Sequence, residues 1–409
     1  MKIAYVLSSF PGLTTTFVDR EILEVQRSGI ELVLVSMWTP PECGVSEEIR
    51  GLAETTKYLL PAPWFRLLTA HLHFALTRPW TYLTTLIYLL TRRHSKFGDW
   101  VRTIFYFIVG VWAAELLCTE RIDHIHAHFA SRATAVAMTA SGLLRVPYSL
   151  TAHAYDIYVS PQLLPEKMAG ASFVVTCTGY NKMYLESIAG RRLAGKVHLV
   201  YHGLDLTQFA PVCLPPRNGR RPLLLSVGQL KEKKGFSYLI EACRFLKNRG
   251  YDFRCEIVGE GPKRAELEAL ITALDLDGTV VLQGALPHSE VVARYAQATL
   301  FALACVLAED GDRDGIPNVV LEAMAMQVPV VSTRLSGIPE VVEDGLTGLL
   351  VQPGDAKTLA DALARLLDAP DLRERLGRQG RKRVEERFNS RNNVGQLIEL
   401  FEKADSGHF

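Results

Sequence analysis

The sequence LLLSVGQLKEKKGFSYLIEACRFLKNRGYDFRCEIVGEGP (residues 223–262) contains a complete strand–helix–strand pattern. The apolar run Leu223–Val227 predicts a buried strand followed by a glycine turn, and Phe236–Asn248 predicts a helix. Residues 253–258 predict a second strand that also ends in a glycine turn. Because strands joined through a helix generally pair in parallel within one sheet, this stretch predicts an α/β fold.

The same alternation of short apolar runs and longer helical patterns continues on both sides of this stretch. Strands are predicted before it at residues 3–7, 31–37, 123–127, 147–151, 173–178 and 197–200, and after it at 280–283, 300–304, 329–332 and Leu349–Val351. Two doubly wound parallel sheets facing a central cleft account for this order. Ligands of such sheets bind at the carboxyl ends of the strands.

A proline-rich segment separates the two halves of the chain. Residues 211–222 contain four prolines and a glycine, a composition typical of a linker. We therefore expect one doubly wound domain over residues 1–210 and a second over 223–385. The final residues, 386–409, are predicted to be helical.

The composition excludes several classes of protein. The 45 basic and 44 acidic side chains leave the 409 residues with a formal net charge of +1, which gives no overall field for gathering nucleic acid. The seven cysteines are scattered and form no CxxC motif, which argues against a disulfide framework or a structural zinc site and favours a reducing compartment.

The hydropathy pattern predicts neither an export signal nor a membrane span. Only five apolar residues follow Lys2 before the polar Ser8 and Ser9, and a secretory core needs about 7–15. The most membrane-like stretch, residues 79–91, has 13 uncharged residues, fewer than the ~18–20 that cross a bilayer. A cytoplasmic protein is therefore expected.

One segment of the first domain, residues 57–118, departs from the alternation and predicts a helical insert. Residues 57–102 carry seven basic side chains against one acidic side chain, Asp99, and are interleaved with the aromatic residues Trp64, Phe65, Trp80, Tyr82 and Trp100. This mixture is typical of an interfacial helix on an anionic membrane. Helices packed on their own sheet with solvated arginines are the alternative, and the sequence leaves both open.

Residues 309–332, EDGDRDGIPNVVLEAMAMQVPVVS, hold the most informative motif. The acidic loop ends in Gly315-Ile316-Pro317, and proline suits the first position of a helix because its missing N–H costs nothing there. The free N–H groups at such a helix start favour a phosphate. Asp314, just before the helix, and Glu322, about two turns later, are placed to accept hydrogen bonds from sugar or ribose hydroxyls.

The same loop also matches the start of a calcium-binding loop. Asp310, Asp312 and Asp314 followed by Gly315 fit D-x-D-x-D-G, but the twelfth position, which needs a bidentate carboxylate, would be Leu321. Glu322 falls one residue late, and a proline occupies the eighth position. We therefore reject calcium and expect no metal at this site.

Two glycine-containing turns follow strands of the second domain. VGQLKEKKG (residues 227–235) places lysines at a strand end, where they can meet a diphosphate. Gly259-Glu-Gly261-Pro262 follows the next strand, but the third glycine of the dinucleotide motif GxGxxG is replaced by Arg264. This second turn is predicted to line the cleft.

Three histidines lie at predicted strand ends of the first domain, where residues 8–12 also follow the first strand. They are His126, His128 and His153, and this position favours an active-site role for at least one of them. Zinc would need all three together. Because side chains alternate along a strand, only one of His126 and His128 is expected on a given face, which argues against zinc.

These motifs resemble those of a known family. DGIPNVVLEAMAMQVPVVST, VGQLKEKKGF, IVGEGP, IHAHFA, TAHAYDIY and GLTTTFV resemble the retaining glycosyltransferases of family 4, and are most similar to the bacterial branch that builds exopolysaccharides such as colanic acid. The resemblance covers essentially the whole chain, is dense from about residue 120 to 355 and is weak over 45–110. It implies a GT-B fold of two Rossmann-like domains, the first of which binds the acceptor, with the final helix crossing back to it.

The resemblance also implies roles for individual residues. Glu322 would bind the donor ribose, Asp314 a hydroxyl of the transferred sugar and Lys234 the donor diphosphate, with His153 near the sugar. His153, Asp314 and Lys234 are the predicted catalytic residues. The predicted donor-binding set is Gly12, Gln229, Lys234, Gly259, Gly261, Asp314, Gly315, Ile316, Pro317, Asn318 and Glu322.

Two positions depart from the family pattern. The first carboxylate of the E-x7-E pair is Asp314, one methylene shorter than glutamate, which changes the hydroxyl it can reach. Gln229 stands where most members carry an arginine, so one charge-assisted contact to the diphosphate is lost and the lysines of residues 231–234 are left to compensate.

The resemblance implies transfer of a hexose from a nucleotide-diphosphate sugar to an acceptor hydroxyl with retention of configuration and without a metal. We expect the acceptor to be a polyprenyl-diphosphate-linked glycan at the cytoplasmic face of the membrane, with no nucleic acid as partner. A nucleotide-sugar epimerase of the same fold, a Rossmann dehydrogenase, which the failed glycine motif disfavours, and an inactive sugar-nucleotide-binding module are the alternatives.

Overall fold

A computed structural model describes residues 1–12, 16–40, 47–92, 94, 96–190, 193–211 and 221–406. The chain forms two compact units. Unit 1 comprises residues 1–202 together with 390–409, and unit 2 comprises residues 203–389. The sequence placed the corresponding boundaries near residues 210 and 386. Most of the predicted linker, residues 212–220, lies outside the described residues.

Unit 1 is built on a seven-stranded parallel sheet with the order β3-β2-β1-β4-β5-β6-β7. The strand order reverses between β1 and β4, which is where ligands bind to doubly wound sheets. The strands are β1 (Lys2–Ser9), β2 (Glu31–Trp38), β3 (Lys57–Leu60), β4 (His124–His128), β5 (Tyr148–Ala152), β6 (Val174–Thr176) and β7 (Val197–Leu199).

Helices connect the strands of unit 1 and cover both faces of its sheet. Those before its last strand are α1 (Thr16–Arg27), α2 (Glu47–Thr55), α3 (Trp64–Thr77), α4 (Pro79–Leu90), α5 (Phe97–Leu117), α6 (Arg132–Leu144), α7 (Ala154–Tyr158), α8 (Leu164–Gly170) and α9 (Gly179–Ala189).

Unit 2 repeats this design on a six-stranded parallel sheet with the order β10-β9-β8-β11-β12-β13, which reverses between β8 and β11. Its strands are β8 (Leu223–Val227), β9 (Arg254–Val258), β10 (Val280–Gly284), β11 (Leu300–Leu303), β12 (Val330–Thr333) and β13 (Leu349–Val351). Its helices are α10 (Phe236–Asn248), α11 (Arg264–Ala273), α12 (His288–Gln297), α13 (Asn318–Ala325), α14 (Ile338–Val341), α15 (Ala356–Asp368) and α16 (Pro370–Arg387).

The last helix, α17 (Ser390–Asp405), belongs to unit 1 and completes its core. Alternate residues of β1 point to opposite faces of the sheet, and both sets are buried, as expected for a central parallel strand. Ala4 and Val6 join the core beneath α3, α5 and α6, whereas Ile3 and Tyr5 join a second core that contains Phe401 of α17. Tyr5 and Phe401 pack edge to face, with ring centroids 6.3 Å apart.

The insert predicted as helical over residues 57–118 begins with a strand. Lys57–Leu60 forms β3 at the edge of the unit 1 sheet, parallel to β2, with Val35 opposite Lys57 in the register. The prediction missed it because four residues are too few to establish a period, whereas the Lys57 ammonium lies 2.8 Å from the Glu120 carboxylate and fixes this end of the strand. The rest of the insert forms α3, α4 and α5.

The structure identifies one helix, among the residues that it describes, that is long and apolar enough to cross a membrane. It is α5 rather than residues 79–91, and 56% of its apolar window is buried inside the protein. Helix α5 packs on α3, α4 and α6 and supplies Phe107, Val111 and Ala114 to the core of unit 1.

Candidate active site

Two loops of unit 2 bring Lys234 and Asp314 into contact. Lys234 lies in a 3-10 turn, Glu232–Lys234, after β8, and Asp314 lies in the long loop after β11, so both follow the strands at which the sheet order reverses. The Lys234 ammonium is 2.7 Å from Oδ2 of Asp314, and both side chains are largely buried. A backbone hydrogen bond from Val306 N to Lys233 O, 3.0 Å long, ties the two loops together.

Burial and charge act in opposite directions on this pair. Burial alone would favour the neutral form of each group, but the two charges stabilise each other. As a result, the pKa of Lys234 lies above its usual value despite burial, and the pKa of Asp314 lies below its usual value. The thiol of Cys305 also donates to Oδ2 of Asp314 over 3.5 Å, so the carboxylate is held from two sides.

A second lysine, Lys233, contacts two carboxylates of the same acidic loop. Its ammonium lies 3.0 Å from Oδ2 of Asp312 and 3.5 Å from Oδ1 of Asp314. Two of the aspartates that match the calcium pattern are therefore bound by lysine ammonium groups. Lys233 and Lys234, from the turn after β8, thus form one cluster of ion pairs with Asp312 and Asp314 of the acidic loop that leads to α13.

Helix α13 begins one residue later than the sequence predicted. Pro317 is the residue before the helix, with an extended backbone (φ −67°, ψ 124°), and Asn318 is the first helical residue. The prediction was wrong because proline fixes φ but not ψ, so Pro317 can turn the chain into the helix instead of forming its first turn. Its carbonyl accepts the N–H of Val320 over 3.0 Å. Gly315 and Ile316 therefore lie in the loop that leads into the helix, where both are half-buried.

Glu322 is held in α13 by a tyrosine that the sequence analysis missed. The hydroxyl of Tyr295, a buried residue of α12, donates to Oε2 of Glu322 over 3.0 Å and lies 3.2 Å from Val319 O. Burial and the nearby carboxylate hold the pKa of Tyr295 well above its usual value, so the hydroxyl keeps its proton. Nothing in the local sequence marks Tyr295, because 27 residues separate it from Glu322.

The two predicted glycines after β9 pack against the loop that carries Gln229. Gly259 has a φ of +146°, and a Cβ placed there would lie 2.0 Å from Gly228 O. A Cβ at Gly261 would lie 2.5 Å from Leu230 O. Both glycines thus allow close contact between the loop after β9 and the loop after β8. Gln229, in the loop after β8, is exposed.

His126 and His128 lie on the same face of β4, contrary to the prediction. Their ring centroids are 5.3 Å apart, because residues i and i+2 of a strand point to the same side and only i and i+1 alternate. The His126 ring lies 2.7 Å from the Ser149 hydroxyl and 3.0 Å from the Thr151 hydroxyl of β5.

A buried chain of polar groups runs from Glu21 to His202 through His153. Oε1 of Glu21 lies 2.8 Å from Nε2 of His128, whose Nδ1 is 3.4 Å from Nε2 of His153. Nδ1 of His153 is in turn 3.4 Å from Nε2 of His202, which is half-buried. The His153 ring also packs against Phe17 and Phe129.

The electrostatics of this chain favour neutral imidazoles at His153 and His202 and an ionised carboxylate at Glu21. Burial, together with His202 and His128, holds the pKa of His153 well below its usual value. Burial lowers the pKa of His202 to about 3. Burial would raise the pKa of Glu21, but His128 outweighs it and the pKa falls to about 2. His153 can therefore donate or accept a hydrogen bond at neutral pH without carrying charge.

Two side chains fix the backbone around His153. Oδ1 of Asp156 accepts the N–H of His153 over 3.0 Å at the start of α7, and its other oxygen accepts the N–H of Ala130 after β4. Lys167 donates to three carbonyl oxygens, among them Ala130 O at 2.8 Å. Gly12, the other predicted residue of unit 1, follows β1 and is half-buried, and residues 13–15 after it lie outside the described residues.

Two groups of side chains in unit 1 have donor atoms close enough to hold a metal ion. Each has its donor atoms within 4.8 Å of one another; one is Glu21 with His126 and His128, and the other is His153 with Cys177 and His202. These groupings differ from the set of His126, His128 and His153 considered from the sequence. Hydrogen bonds within unit 1 already engage both ring nitrogens of His126 and of His153.

Comparison with known proteins identifies the family of this chain. Residues 215–383 match the family model described as glycosyl transferases group 1. A relative from Salmonella typhimurium, WcaL, provisionally named a colanic acid biosynthesis glycosyltransferase, is 31% identical over 98% of this chain and 100% of its own length. The chain belongs to the group 1 glycosyltransferases. The resemblance to glycosyltransferases that the motifs indicated is thereby confirmed.

A further relative and two solved structures are also similar to this glycosyltransferase. AmsK of Erwinia amylovora, named an amylovoran biosynthesis glycosyltransferase, is 41% identical over 51% of this chain and 51% of its own length. The solved structure of Alr3699/HepE from Anabaena, in complex with UDP, aligns with a TM-score of 0.73 at 17% identity over 98% of this chain and 100% of that chain. Sucrose-phosphate synthase of Thermosynechococcus elongatus aligns with a TM-score of 0.72 at 20% identity over the full length of both chains. The glycosyltransferase has the GT-B fold, as predicted.

Proposed function

We propose that this glycosyltransferase moves a hexose, with retention of configuration, from a nucleotide-diphosphate sugar to a hydroxyl of a lipid-linked glycan in exopolysaccharide biosynthesis. The observation that carries the proposal is the Lys234–Asp314 pair at the strand-order reversal of unit 2, followed by Glu322 in α13. The cation and the carboxylate for a sugar hydroxyl thus lie on two loops, and the carboxylate for a ribose lies on the helix that follows the second loop. The names of WcaL and AmsK support the exopolysaccharide role.

In the proposed reaction, the acceptor oxygen attacks the anomeric carbon from the side that the diphosphate leaves. The bond between the anomeric carbon and the phosphate oxygen breaks, and the acceptor proton passes to the departing diphosphate. The protein positions both substrates and stabilises the charge that grows on the diphosphate. The ammonium groups of Lys234 and Lys233 supply the positive charge for this stabilisation. No residue is assigned as a covalent nucleophile or a metal ligand.

The donor's diphosphate competes with Asp314 for Lys234. The pair at 2.7 Å keeps Lys234 charged and in place before the donor binds, so little side-chain reorganisation remains. Asp314 is then left to accept a hydroxyl of the transferred sugar. Gln229 is exposed and uncharged, so the contact that an arginine would make is assigned to the neighbouring lysines.

His153 is assigned to the transferred sugar in this proposal. Both of its ring nitrogens lie 3.4 Å from other imidazoles, so a sugar hydroxyl must replace His202 as the partner of Nδ1. We therefore expect His202→Ala to preserve turnover and His153→Ala to reduce it at least about tenfold, the loss typical of a substrate hydrogen bond worth ~1.4 kcal/mol.

The test is turnover against UDP-, GDP- and ADP-hexoses, with release of nucleoside diphosphate measured in the presence and absence of a polyprenyl-diphosphate-linked glycan. Release from one donor that depends on the glycan, gives a product with the donor's anomeric configuration and is lost in Glu322→Gln supports the proposal. Glu290→Gln, the same change at an exposed glutamate of α12, is the matched control.

The other outcomes overturn the proposal in distinguishable ways. Conversion of the donor into its epimer without an acceptor identifies an epimerase. Tight binding of one nucleotide sugar with no turnover under any condition identifies an inactive binding module. Inversion of the anomeric centre overturns the retaining mechanism alone.

A further inference from the structure

Exposed apolar side chains are concentrated on α3, α4 and α5 of unit 1. Among the described residues, 11 of the 21 exposed large apolar side chains lie between positions 64 and 105. The most exposed are Trp80 (80%), Phe97 (79%), Leu76 (78%) and Trp64 (75%). An apolar surface on this scale marks a contact with a partner or a membrane.

These residues form one stripe on each helix. The exposed positions are Trp64, Phe65, Leu68, Leu72 and Leu76 on α3, Trp80, Leu83 and Ile87 on α4, and Phe97, Val101 and Phe105 on α5. Apart from the adjacent pair Trp64 and Phe65, the spacing of three or four residues places each set on one side of its helix. Other positions of the same helices are buried, among them Ala70, Phe74, Leu89 and Phe107, and the three helices pack on one another. We call these eleven residues the apolar surface.

Basic residues are interspersed in sequence with the residues of the apolar surface. Arg66, Arg78, Lys96 and Arg102 are exposed, and Arg92 is half-buried, with its guanidinium 4.3 Å from the centre of the Tyr88 ring. Asp99 is the one acidic residue of positions 57–102, and its Oδ1 lies 3.2 Å from Arg102. Basic residues beside exposed tryptophans are the pattern of proteins that lie on anionic bilayers, because arginine and lysine meet the headgroups while the rings enter the interface.

The burial of α5 argues for contact with the bilayer surface and against a span. Its exposed apolar residues lie in the first half of the helix, and the later positions Phe107, Val111 and Ala114 are part of the core of unit 1. Inserting the whole helix into lipid would expose that core. The apolar surface can enter only the interface, while α5 stays packed against α6.

We propose that the apolar surface of α3, α4 and α5 docks unit 1 onto an anionic phospholipid bilayer. Docking would bring the enzyme to a lipid-linked acceptor, and this purpose rests on the proposed function. Docking itself depends on the exposed side chains of the insert and on no residue of the candidate active site.

The test is cosedimentation of the full-length protein with vesicles of phosphatidylglycerol and phosphatidylethanolamine, compared with vesicles of phosphatidylcholine. We expect binding to the anionic vesicles that weakens with added salt, because headgroup contacts are screened. The triple variant Trp64→Ser/Trp80→Ser/Phe97→Ser should lose at least tenfold in partition coefficient. The matched control, Met183→Ser/Phe245→Ser/Leu346→Ser, removes three exposed apolar side chains elsewhere and should bind as the parent does.

The outcomes separate docking from catalysis and from self-association. A parent protein that stays in the supernatant with anionic vesicles overturns docking, whatever its turnover. A parent that binds vesicles but transfers no sugar overturns the proposed function alone. If analytical ultracentrifugation shows a dimer that the triple variant abolishes, and neither protein binds vesicles, the apolar surface is an interface between two copies and docking is wrong.

Discussion

Replacing Lys234 by methionine tests whether its ion pair with Asp314 stabilises unit 2. Methionine keeps most of the side-chain length and removes the charge, so Oδ2 of Asp314 loses a partner at 2.7 Å and stays in a largely buried position. Breaking a buried ion pair by removing one partner costs about 3–5 kcal/mol. Lys233 remains 3.5 Å from the other oxygen, so we expect a loss of free energy of unfolding near the lower bound, about 3 kcal/mol.

The assay must separate the two units. All five tryptophans of the chain (38, 64, 80, 100 and 112) lie in unit 1, so tryptophan fluorescence follows unit 1 and far-ultraviolet circular dichroism follows both units. For a unit of this size, about 3 kcal/mol lowers Tm by about 6–12 °C. The expected result is a transition in circular dichroism that moves down while the fluorescence transition does not. Lys231→Met should leave both transitions in place, because its effect on the free energy of unfolding should not exceed about 0.5 kcal/mol.

The difference in stability between the parent and Lys234→Met should depend on pH in a defined direction. In the parent, the pKa of Asp314 lies below its usual value, so its contribution to stability is present above the pKa of the unfolded chain and is lost as pH falls. Without Lys234, burial makes the ionised carboxylate costly, and protonation at low pH removes that cost. The difference in Tm between parent and variant should therefore shrink from pH 7 to pH 4. A difference equal to that of Lys231→Met, or one that stays constant with pH, would refute the reasoning.

Three further predictions follow from contacts elsewhere. Tyr295→Phe removes the 3.0 Å hydrogen bond to Glu322, so KM for the donor should rise about three- to tenfold with kcat little changed in steady-state assays, a cost of roughly 1 kcal/mol. Gly259→Ala places a Cβ 2.0 Å from Gly228 O and should lower Tm in circular dichroism, whereas Gly395→Ala, which meets nothing within 4 Å, should not. Burial holds the pKa values of four histidines of unit 1 below the usual histidine value: His124, His126, His153 and His202. Because the unfolded chain then takes up protons before the folded one, unit 1 should lose stability in the fluorescence assay as pH falls from 6.5 to 4.

The sequence predicted most of the fold because short apolar runs and glycine turns mark parallel strands clearly. β8, α10 and β13 have the predicted bounds, and most other predicted elements differ from the structure by one or two residues at an end. The edge strand β3 was not predicted, because its four residues are too few to show a period. Its position depends on pairing with β2 and on the contact with Glu120, which is distant in sequence.

The candidate site was predictable where its residues lie close in sequence and not where contacts cross the fold. Lys234 and Asp314 were both singled out, yet their direct contact depends on two loops that meet at the strand-order reversal. Tyr295 and Cys305 carried no motif and became visible only through their contacts with the two carboxylates. The same-face arrangement of His126 and His128 follows from the two-residue period of a strand, which the prediction misapplied.

The return of α17 to unit 1 has a consequence for synthesis on the ribosome. Phe401 packs on Tyr5 and Phe173, so the core around β1 stays open until the segment after residue 389 has been translated. Unit 2, residues 203–389, is a compact unit encoded between those two segments, so all of it has been translated before the last element of unit 1. Unit 1 therefore departs from the usual N-terminal-first order, because its core can close only after unit 2 has been translated, and until then its unfinished core exposes apolar surface of the kind that chaperones bind.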